Sequence, residues 1–209
     1  MEPECSEARF LKDVAKHKIE IVRDDELYRH IKFRRDGTYC MGFDLVTWPG
    51  FLCFCGDMGE FVFTRLADMF SFFRSGERRN GKHPSLDVNL GYWAEKCVAV
   101  DNCDGLKKYS PDKFREVVMD ILAEDENVTD ELRKAVNEDV LSVADDGPYA
   151  AHGAARDFEW QGNEYFTDFW ENSLDVYSFR FVWCCYAIAW GIAEYDKAKN
   201  MKRILFRKF

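Results

Sequence analysis

Two cysteines one residue apart, Cys53 and Cys55, lie between a Trp-Pro-Gly turn and a Gly-Asp-Met-Gly corner in the segment DLVTWPGFLCFCGDMG. Thiolates bind zinc, and Cys40 or a histidine could complete a set of ligands. Structural zinc sites, however, usually use CxxC knuckles on turns, whereas CxC in a strand places both sulfur atoms on one face of it. The corner also lacks the lysine of a phosphate-binding loop. The segment therefore predicts tight turns joining core strands, with no metal and no cofactor.

Other residues that could act as nucleophiles or bases have no spacing that defines a reaction. The GxSxG signature of one large class of serine hydrolases is missing from the sequence. Cys184 and Cys185 lie inside a hydrophobic run, where apolar surroundings raise the pKa of a thiol and suppress its reactivity. Carboxylates are abundant but form no recognisable catalytic pair. The sequence therefore favours a binding protein over an enzyme and indicates no catalytic residue.

Acidic residues are concentrated in one segment. Between Asp120 and Asp146, ten Asp and Glu residues accompany only two cations, Arg133 and Lys134. The net charge of −9 argues against direct nucleic-acid binding by phosphate neutralisation. Such a run is most often a solvated helix face, but carboxylates held on a helix also form a fixed array that can bind a basic partner. The candidate partner-binding residues are Glu124, Asp125, Glu126, Asp130, Glu131, Glu138 and Asp139.

Basic residues occur in two other places. The polar loop RSGERRNGKHP contains Arg78, Arg79, Lys82 and His83, which could bind a phosphate or a nucleotide. A solvated loop is the simpler interpretation of the same residues. The basic tail, residues 197–209, could instead contact DNA. These alternatives remain open at the level of the sequence.

The hydrophobic pattern predicts an α+β fold. Alternation over residues 18–65, broken by the turn signals Asp36-Gly37 and Pro49-Gly50, indicates an antiparallel meander of about five strands. Helices are predicted over 66–209 and are expected to cover one face of this sheet. They include a short helix over 90–100, an acidic helix over 129–143 and an apolar helix from 178 to about 198. The length suits a single domain over 1–209.

The chain has no sequence feature of a secreted or membrane protein. Its first residues, MEPECSEARF, are acidic and lack an apolar core. The longest apolar stretch, FVWCCYAIAWGIA, is shorter than a membrane span. We therefore expect a cytoplasmic protein with reduced cysteines and no membrane partner.

Several strings taken together resemble an uncharacterised family of phage and prophage proteins. They are DLVTWPGFLCFCGDMGEFVFTRLADMFSFF, GYWAEKC and FRFVWCCYAIAWGIAEYD, and the resemblance extends from about residue 26 to 196. It transfers no catalytic residue. The resemblance implies a small non-structural accessory protein made in a bacterial host cell, and such proteins often inhibit host defences.

The expected function combines this context with the acidic segment. We expect a phage protein that inhibits a bacterial defence complex, such as a CRISPR effector or a restriction nuclease, by occluding its basic nucleic-acid channel. The acidic residues would speed association and aromatic anchors would supply affinity. The alternative function is a nucleotide-binding protein that sequesters or cleaves a defence signalling nucleotide through the basic loop. A third is a regulator of DNA metabolism that uses the basic tail.

Overall fold

The computed structural model of the protein describes residues 5–74, 86–103 and 105–206, and side chains up to residue 201. Contacts within the chain define two compact units. The sheet unit comprises Glu2–Leu106 with Tyr177–Phe209, and the acidic unit comprises Lys107–Val176. An antiparallel sheet in the N-terminal half and helices in the C-terminal half confirm the predicted α+β class. The single domain expected over 1–209 stays a prediction.

The main sheet has six strands that follow one another in chain order, each antiparallel to the next. They are β1 (Lys18–Asp25), β2 (Tyr28–Arg34), β3 (Phe43–Trp48), β4 (Phe51–Gly56), β5 (Gly59–Thr64) and β6 (Cys97–Val100). Short additional strands are β7 (Lys107–Tyr109), β8 (Glu159–Trp160), β9 (Asn163–Glu164) and β10 (Asp175–Tyr177). The turn Pro49-Gly50 joins β3 to β4, and Asp57-Met58 joins β4 to β5, as the opening cysteine segment predicts.

Seven α-helices are described. They are α1 (Glu7–Val14), α2 (Met69–Phe73), α3 (Leu90–Ala94), α4 (Pro111–Glu124), α5 (Asp130–Asp139), α6 (Pro148–Asp157) and α7 (Phe179–Phe206). Helix α7 is longer than the sequence predicts, because its basic C-terminal turns continue without a breaker. The acidic helix predicted over 129–143 is shorter in the structure. Helix α5 ends at Asp139 and is followed by a 3-10 turn, Leu141–Asp146. Val140 and Ala144 lie in the core.

The core of the sheet unit lies between the sheet and α7. Alternate residues of β2 to β5 point to this face and are at most 1 % exposed: Ile31, Phe33, Phe43, Leu45, Leu52, Phe54, Phe61 and Phe63. Trp183 and Trp190 of α7 pack edge-on against Phe43 and Phe33, with ring centroids 5.7 and 5.4 Å apart. No residue of α7 from Phe179 to Asp196 is exposed, which explains why residues 181–193 within it are apolar on every side.

Two predicted elements of the sheet unit differ from the structure. The helix expected over 90–100 ends at Ala94, and Cys97–Val100 pairs with β5 as the sixth strand. The hydrophobic pattern after the Asp36-Gly37 turn predicts a strand from Thr38 to Trp48, but β3 begins only at Phe43, because a turn closed by a hydrogen bond from the Gly42 amide to the Tyr39 carbonyl precedes it. Both differences arise from pairing and turn contacts that a local hydrophobic pattern does not reveal.

The acidic unit has its own hydrophobic core, formed by α4, α5, α6 and the turns around them. Ser110 caps α4 by accepting a hydrogen bond from the Lys113 amide at 3.1 Å. Thr129 caps α5 in the same way, from the Leu132 amide at 3.2 Å. The fully buried residues at the centre of this core are Phe114, Val118, Val136, Val140, Ala144, Ala151 and Ala155.

Candidate functional site

The formal charge of the protein is divided unevenly between the two units. The acidic unit contains eighteen Asp and Glu residues and seven Lys and Arg residues, a net charge of −11. The rest of the chain contains twenty acids and twenty-two bases, a net charge of +2. The excess of negative charge therefore belongs wholly to Lys107–Val176, a wider region than the predicted acidic helix.

Nearly all of these carboxylates face solvent. Seventeen of the eighteen acidic residues are exposed, and Asp125 is partly buried. The sequence predicted seven of them as a partner-binding set; the structure adds a second group around α6 and the turns that flank it. That group comprises Asp145 and Asp146, which end the acidic segment of the sequence, and five residues that sequence reasoning missed: Asp157, Glu159, Glu164, Asp168 and Glu171. These five are spread thinly along the sequence, so the density of acids does not single them out.

Asp125 differs from the other predicted partner-binding residues because its carboxylate already has partners. It accepts hydrogen bonds from the Asn127 amide and from the Tyr165 hydroxyl, both at 2.8 Å. These two bonds hold the pKa of Asp125 below its usual value. Asp125 therefore stabilises the turn after α4, and the charges offered to a partner there are those of Glu124 and Glu126.

Helix α5 does not present an unbroken acidic surface. Leu132 and Val136 are buried, so the opposite side of the helix carries Asp130, Lys134 and Glu138. Lys134 lies 3.8 Å from Glu138, which partly neutralises the middle of this side. The predicted acids of α5 therefore form two groups, Asp130 with Glu131 at the start of the helix and Glu138 with Asp139 at its end. The two groups lie roughly 12 Å apart along the helix axis.

Two exposed aromatic side chains accompany the acidic groups. Tyr149, at the start of α6, is 94 % exposed, and Trp170, in the 3-10 turn Phe169–Glu171, is 72 % exposed. They are the two most exposed of the large hydrophobic residues in the described part of the chain. Neighbouring aromatic residues such as Phe166 and Phe169 are buried, so position in the fold and not residue type distinguishes them.

Strands β1, β2 and β3 line an open groove of about 580 Å³ that extends to the outer face of the sheet, the face opposite α7. Its walls are aromatic and aliphatic, and the side chains of Trp48 and Phe51 stack beside it with ring centroids 5.3 Å apart. Its polar groups pair with carboxylates of the protein: His30 Nε2 lies 2.6 Å from Asp44 Oδ2, and Arg23 donates to Asp25 at 3.0 Å. The groove is lined by Val22, Arg23, Tyr28, Arg29, His30, Val46, Thr47 and Trp48.

Cys53 and Cys55 lie on the same outer face, as predicted, and both are partly buried. A hydrogen bond from Cys55 lowers the pKa of Cys53, and the same bond together with burial raises the pKa of Cys55. Cys40 is exposed in the turn before β3. Across the described ranges, no three His, Cys, Asp or Glu side chains converge as a metal site requires.

The two basic candidates are only partly described. Arg78, Arg79, Lys82 and His83 lie outside the described residues, so the nucleotide-binding alternative stays a prediction. In the described part of the basic tail, Lys197 bonds Glu194 at 2.6 Å and Lys199 pairs with Asp24. These cations are therefore already bound to carboxylates of the sheet unit.

Comparison of the chain with protein-family models, with curated proteins and with solved structures finds no match. Within the described residues, no helix is both long enough and apolar enough to cross a membrane. The function is therefore inferred from the geometry and the charge of the chain itself.

Proposed function

We propose that the protein is a binding protein that covers the basic nucleic-acid-binding surface of another protein with its acidic unit. The observation that carries this proposal is the segregation of charge, −11 within Lys107–Val176 against +2 in the rest of the chain. Seventeen exposed carboxylates give this one small folded unit a high density of negative charge. In this respect the unit resembles the nucleic acid that a basic channel binds.

The concentration of charge affects both the rate of binding and the stability of the acidic unit. A concentrated negative field attracts a basic surface over about one Debye length and raises the association rate at low salt. Like charges on a small unit also repel one another, which lowers its stability. A role in binding explains why the unit carries so many like charges in spite of this repulsion, because a surface that only contacts solvent does not need them.

The class of partner comes from the resemblance to phage and prophage proteins. Within that context we propose a bacterial defence complex, a CRISPR effector or a restriction nuclease, whose nucleic-acid channel the acidic unit occupies. Inhibition would then be competitive with DNA and would weaken as the salt concentration rises. These features distinguish occlusion from binding at a remote site.

A panel of purified CRISPR effectors and restriction nucleases, each cleaving its own DNA substrate, tests the proposal. We expect the protein to inhibit at least one of them, and excess DNA to restore cleavage. Four substitutions, Asp130→Asn, Glu131→Gln, Glu138→Gln and Asp139→Asn, should abolish inhibition at moderate salt.

The matched control neutralises four exposed acids of the sheet unit, Glu20, Glu26, Glu60 and Glu95, by Gln substitution. It changes the net charge of the protein by the same amount and should leave inhibition intact. Inhibition that persists in the α5 variant, or that both variants lose equally, would show that the acidic unit is not the binding surface.

A further inference from the structure

The elements that carry the exposed rings of Tyr149 and Trp170, α6 and the 3-10 turn Phe169–Glu171, pack against each other and form one junction of the acidic unit. His152 follows Tyr149 by one helical turn, and its ring lies 5.8 Å from the ring of Phe169, the residue before Trp170. Phe169 is only 3 % exposed, so it fastens the 3-10 turn to α6 while Trp170 points to solvent. The helix and the turn from which the two exposed aromatic side chains project are thus fixed to each other.

The surface beside Tyr149 has room for an incoming side chain. Gly153 lies four residues after Tyr149 and therefore on the same side of α6. A Cβ atom built on Gly153 would meet no heavy atom within 4 Å. The protein leaves this space open next to a ring that is 94 % exposed.

Carboxylates lie close to the two rings along the chain. Asp145 and Asp146 precede Tyr149, and Asp168 and Glu171 flank Trp170; all four are exposed, and Asp145 already pairs with Arg115. The cation that α6 itself supplies, Arg156, is bonded to Asp157 at 2.7 Å. Binding to this junction therefore favours a cationic group with a flat face. Arginine meets both requirements, because its guanidinium stacks on aromatic rings and binds carboxylates with two parallel hydrogen bonds.

We propose that Tyr149 and Trp170 are the anchor of the acidic unit and that their occupant is an arginine-bearing surface of a protein partner. This inference rests on the proposed function, in which the acidic unit binds a basic protein, and adds the residues that supply its affinity. Trp and Tyr are the residue types most enriched at energetic hot spots, together with Arg on the facing side. A single strand of nucleic acid could also stack on these rings, but the net charge of −11 repels its phosphates.

Three probes separate these chemistries with the full-length protein: an all-arginine peptide, an all-lysine peptide of equal length and an oligothymidine. Each carries a fluorescent label, and anisotropy measures its affinity. We expect the arginine peptide to bind about five-fold more tightly than the lysine peptide, and the oligothymidine not to bind. The double variant Tyr149→Ser, Trp170→Ser should bind both peptides equally, with the affinity for the lysine peptide unchanged.

Two control variants make the outcomes distinct. Tyr39→Ser removes a ring of the sheet unit that is 53 % exposed and should preserve the arginine preference. The variant with the four α5 substitutions described above should weaken the binding of both peptides by the same factor. Because Tyr149 and Trp170 are mostly exposed, their substitution should leave the unfolding temperature unchanged, which excludes misfolding as the cause.

The possible failures point to different conclusions. Equal binding of both peptides by the wild type, unaffected by the double variant, would overturn the aromatic anchor and leave the proposed function standing. Failure of the wild type to bind either peptide would overturn both. Oligothymidine binding that requires Trp170 would overturn the protein partner in favour of single-stranded nucleic acid.

Discussion

The hydroxyl group of Tyr195 donates a hydrogen bond of 2.7 Å to Asp24 Oδ1 and so ties α7 to β1 across 171 residues of sequence. The Lys199 ammonium pairs with the other carboxylate oxygen of Asp24. Helix α7 is thereby held at the edge of the sheet by polar contacts, in addition to the aromatic packing at its centre.

Asp24 should make the stability of the sheet unit depend on pH. Burial alone would raise the pKa of Asp24, but hydrogen bonds from Lys199 and Tyr195 outweigh burial and lower it. A lowered pKa in the folded state stabilises the protein above the unfolded value of about 4, and this contribution is lost as the pH falls through the folded value. We expect Asp24→Asn to reduce the free energy of unfolding by about 1 kcal/mol at neutral pH.

Urea unfolding of wild type and Asp24→Asn from neutral pH down to about pH 3 measures this contribution. The difference between the two proteins should shrink as the pH falls. Glu20→Gln, an exposed position on the same strand, is the control and should change stability by less than about 0.5 kcal/mol. A difference that stays constant with pH would contradict the assignment to the carboxylate.

The ion pair of Arg29 and Asp68 should respond asymmetrically to substitution. Arg29 Nη1 donates to Asp68 Oδ1 at 2.8 Å, and the Arg29 side chain is only 9 % exposed. Asp68→Ser keeps a side chain able to cap α2 but removes the carboxylate that is hydrogen-bonded to the buried guanidinium. We expect a loss of about 3 kcal/mol in unfolding free energy.

The double variant Arg29→Met, Asp68→Ser removes both charges and should be more stable than Asp68→Ser alone. The double-mutant cycle is completed with Arg29→Met and measured by urea unfolding. If the two single losses simply add, the pair has no coupling and the buried charge is satisfied in another way.

Much of the sheet could be predicted because its signals are local. Alternation in β2 to β5 and the turn residues between them decide which face is buried and where the chain reverses. Strand β6 could not be predicted in this way. It returns to pair with β5 more than thirty residues after β5 ends, and the four residues CVAV have no periodicity that separates a strand from a helix.

The candidate site was predicted in part for a similar reason. A count of acids along the sequence identifies the segment 120–146, but the more thinly spread carboxylates from Asp157 to Glu171 were not recognised as part of the same acidic unit. Trp170 was missed because the sequence places it beside Phe166 and Phe169, which are core residues. The 3-10 turn at Phe169–Glu171 directs adjacent aromatic side chains to opposite environments, and hydrophobicity alone does not show that.

Two helical glycines should respond in opposite directions to alanine. A Cβ atom on Gly191 of α7 would lie 3.0 Å from Leu45 Cδ1 and 3.1 Å from two ring carbons of Phe33, both in the buried core. Gly191→Ala should therefore force α7 away from the sheet and cost about 1–3 kcal/mol. Gly153→Ala on α6 meets no atom and should stabilise the protein by about 1 kcal/mol through helix propensity.

Thermal and urea unfolding of the two alanine variants measures the effect, and each serves as the control for the other. Because the chemical change is identical, a common change in the unfolded state cancels in the comparison. Destabilisation by both substitutions to a similar extent would show that α7 does not need its close approach to the sheet at Gly191.

Cysteine labelling should report on the integrity of the core beneath α7. Cys184 and Cys185 are fully buried, and burial raises the pKa of both thiols well above the usual value. Cys40 and Cys103 are exposed. With a maleimide reagent near neutral pH, we expect Cys40 and Cys103 to react first, and Cys184 and Cys185 to react only through unfolding of the protein.

Peptide mapping by mass spectrometry after timed labelling resolves these sites. Their behaviour in urea separates burial from low intrinsic reactivity: once the protein is unfolded, Cys184 should label at a rate similar to that of Cys40, because the pKa of its thiol returns towards the usual value. Labelling of Cys184 in the native protein as fast as Cys40 would mean that α7 leaves the sheet readily. The aromatic packing of Trp183 and Trp190 against β2 and β3 could not then hold the fold together.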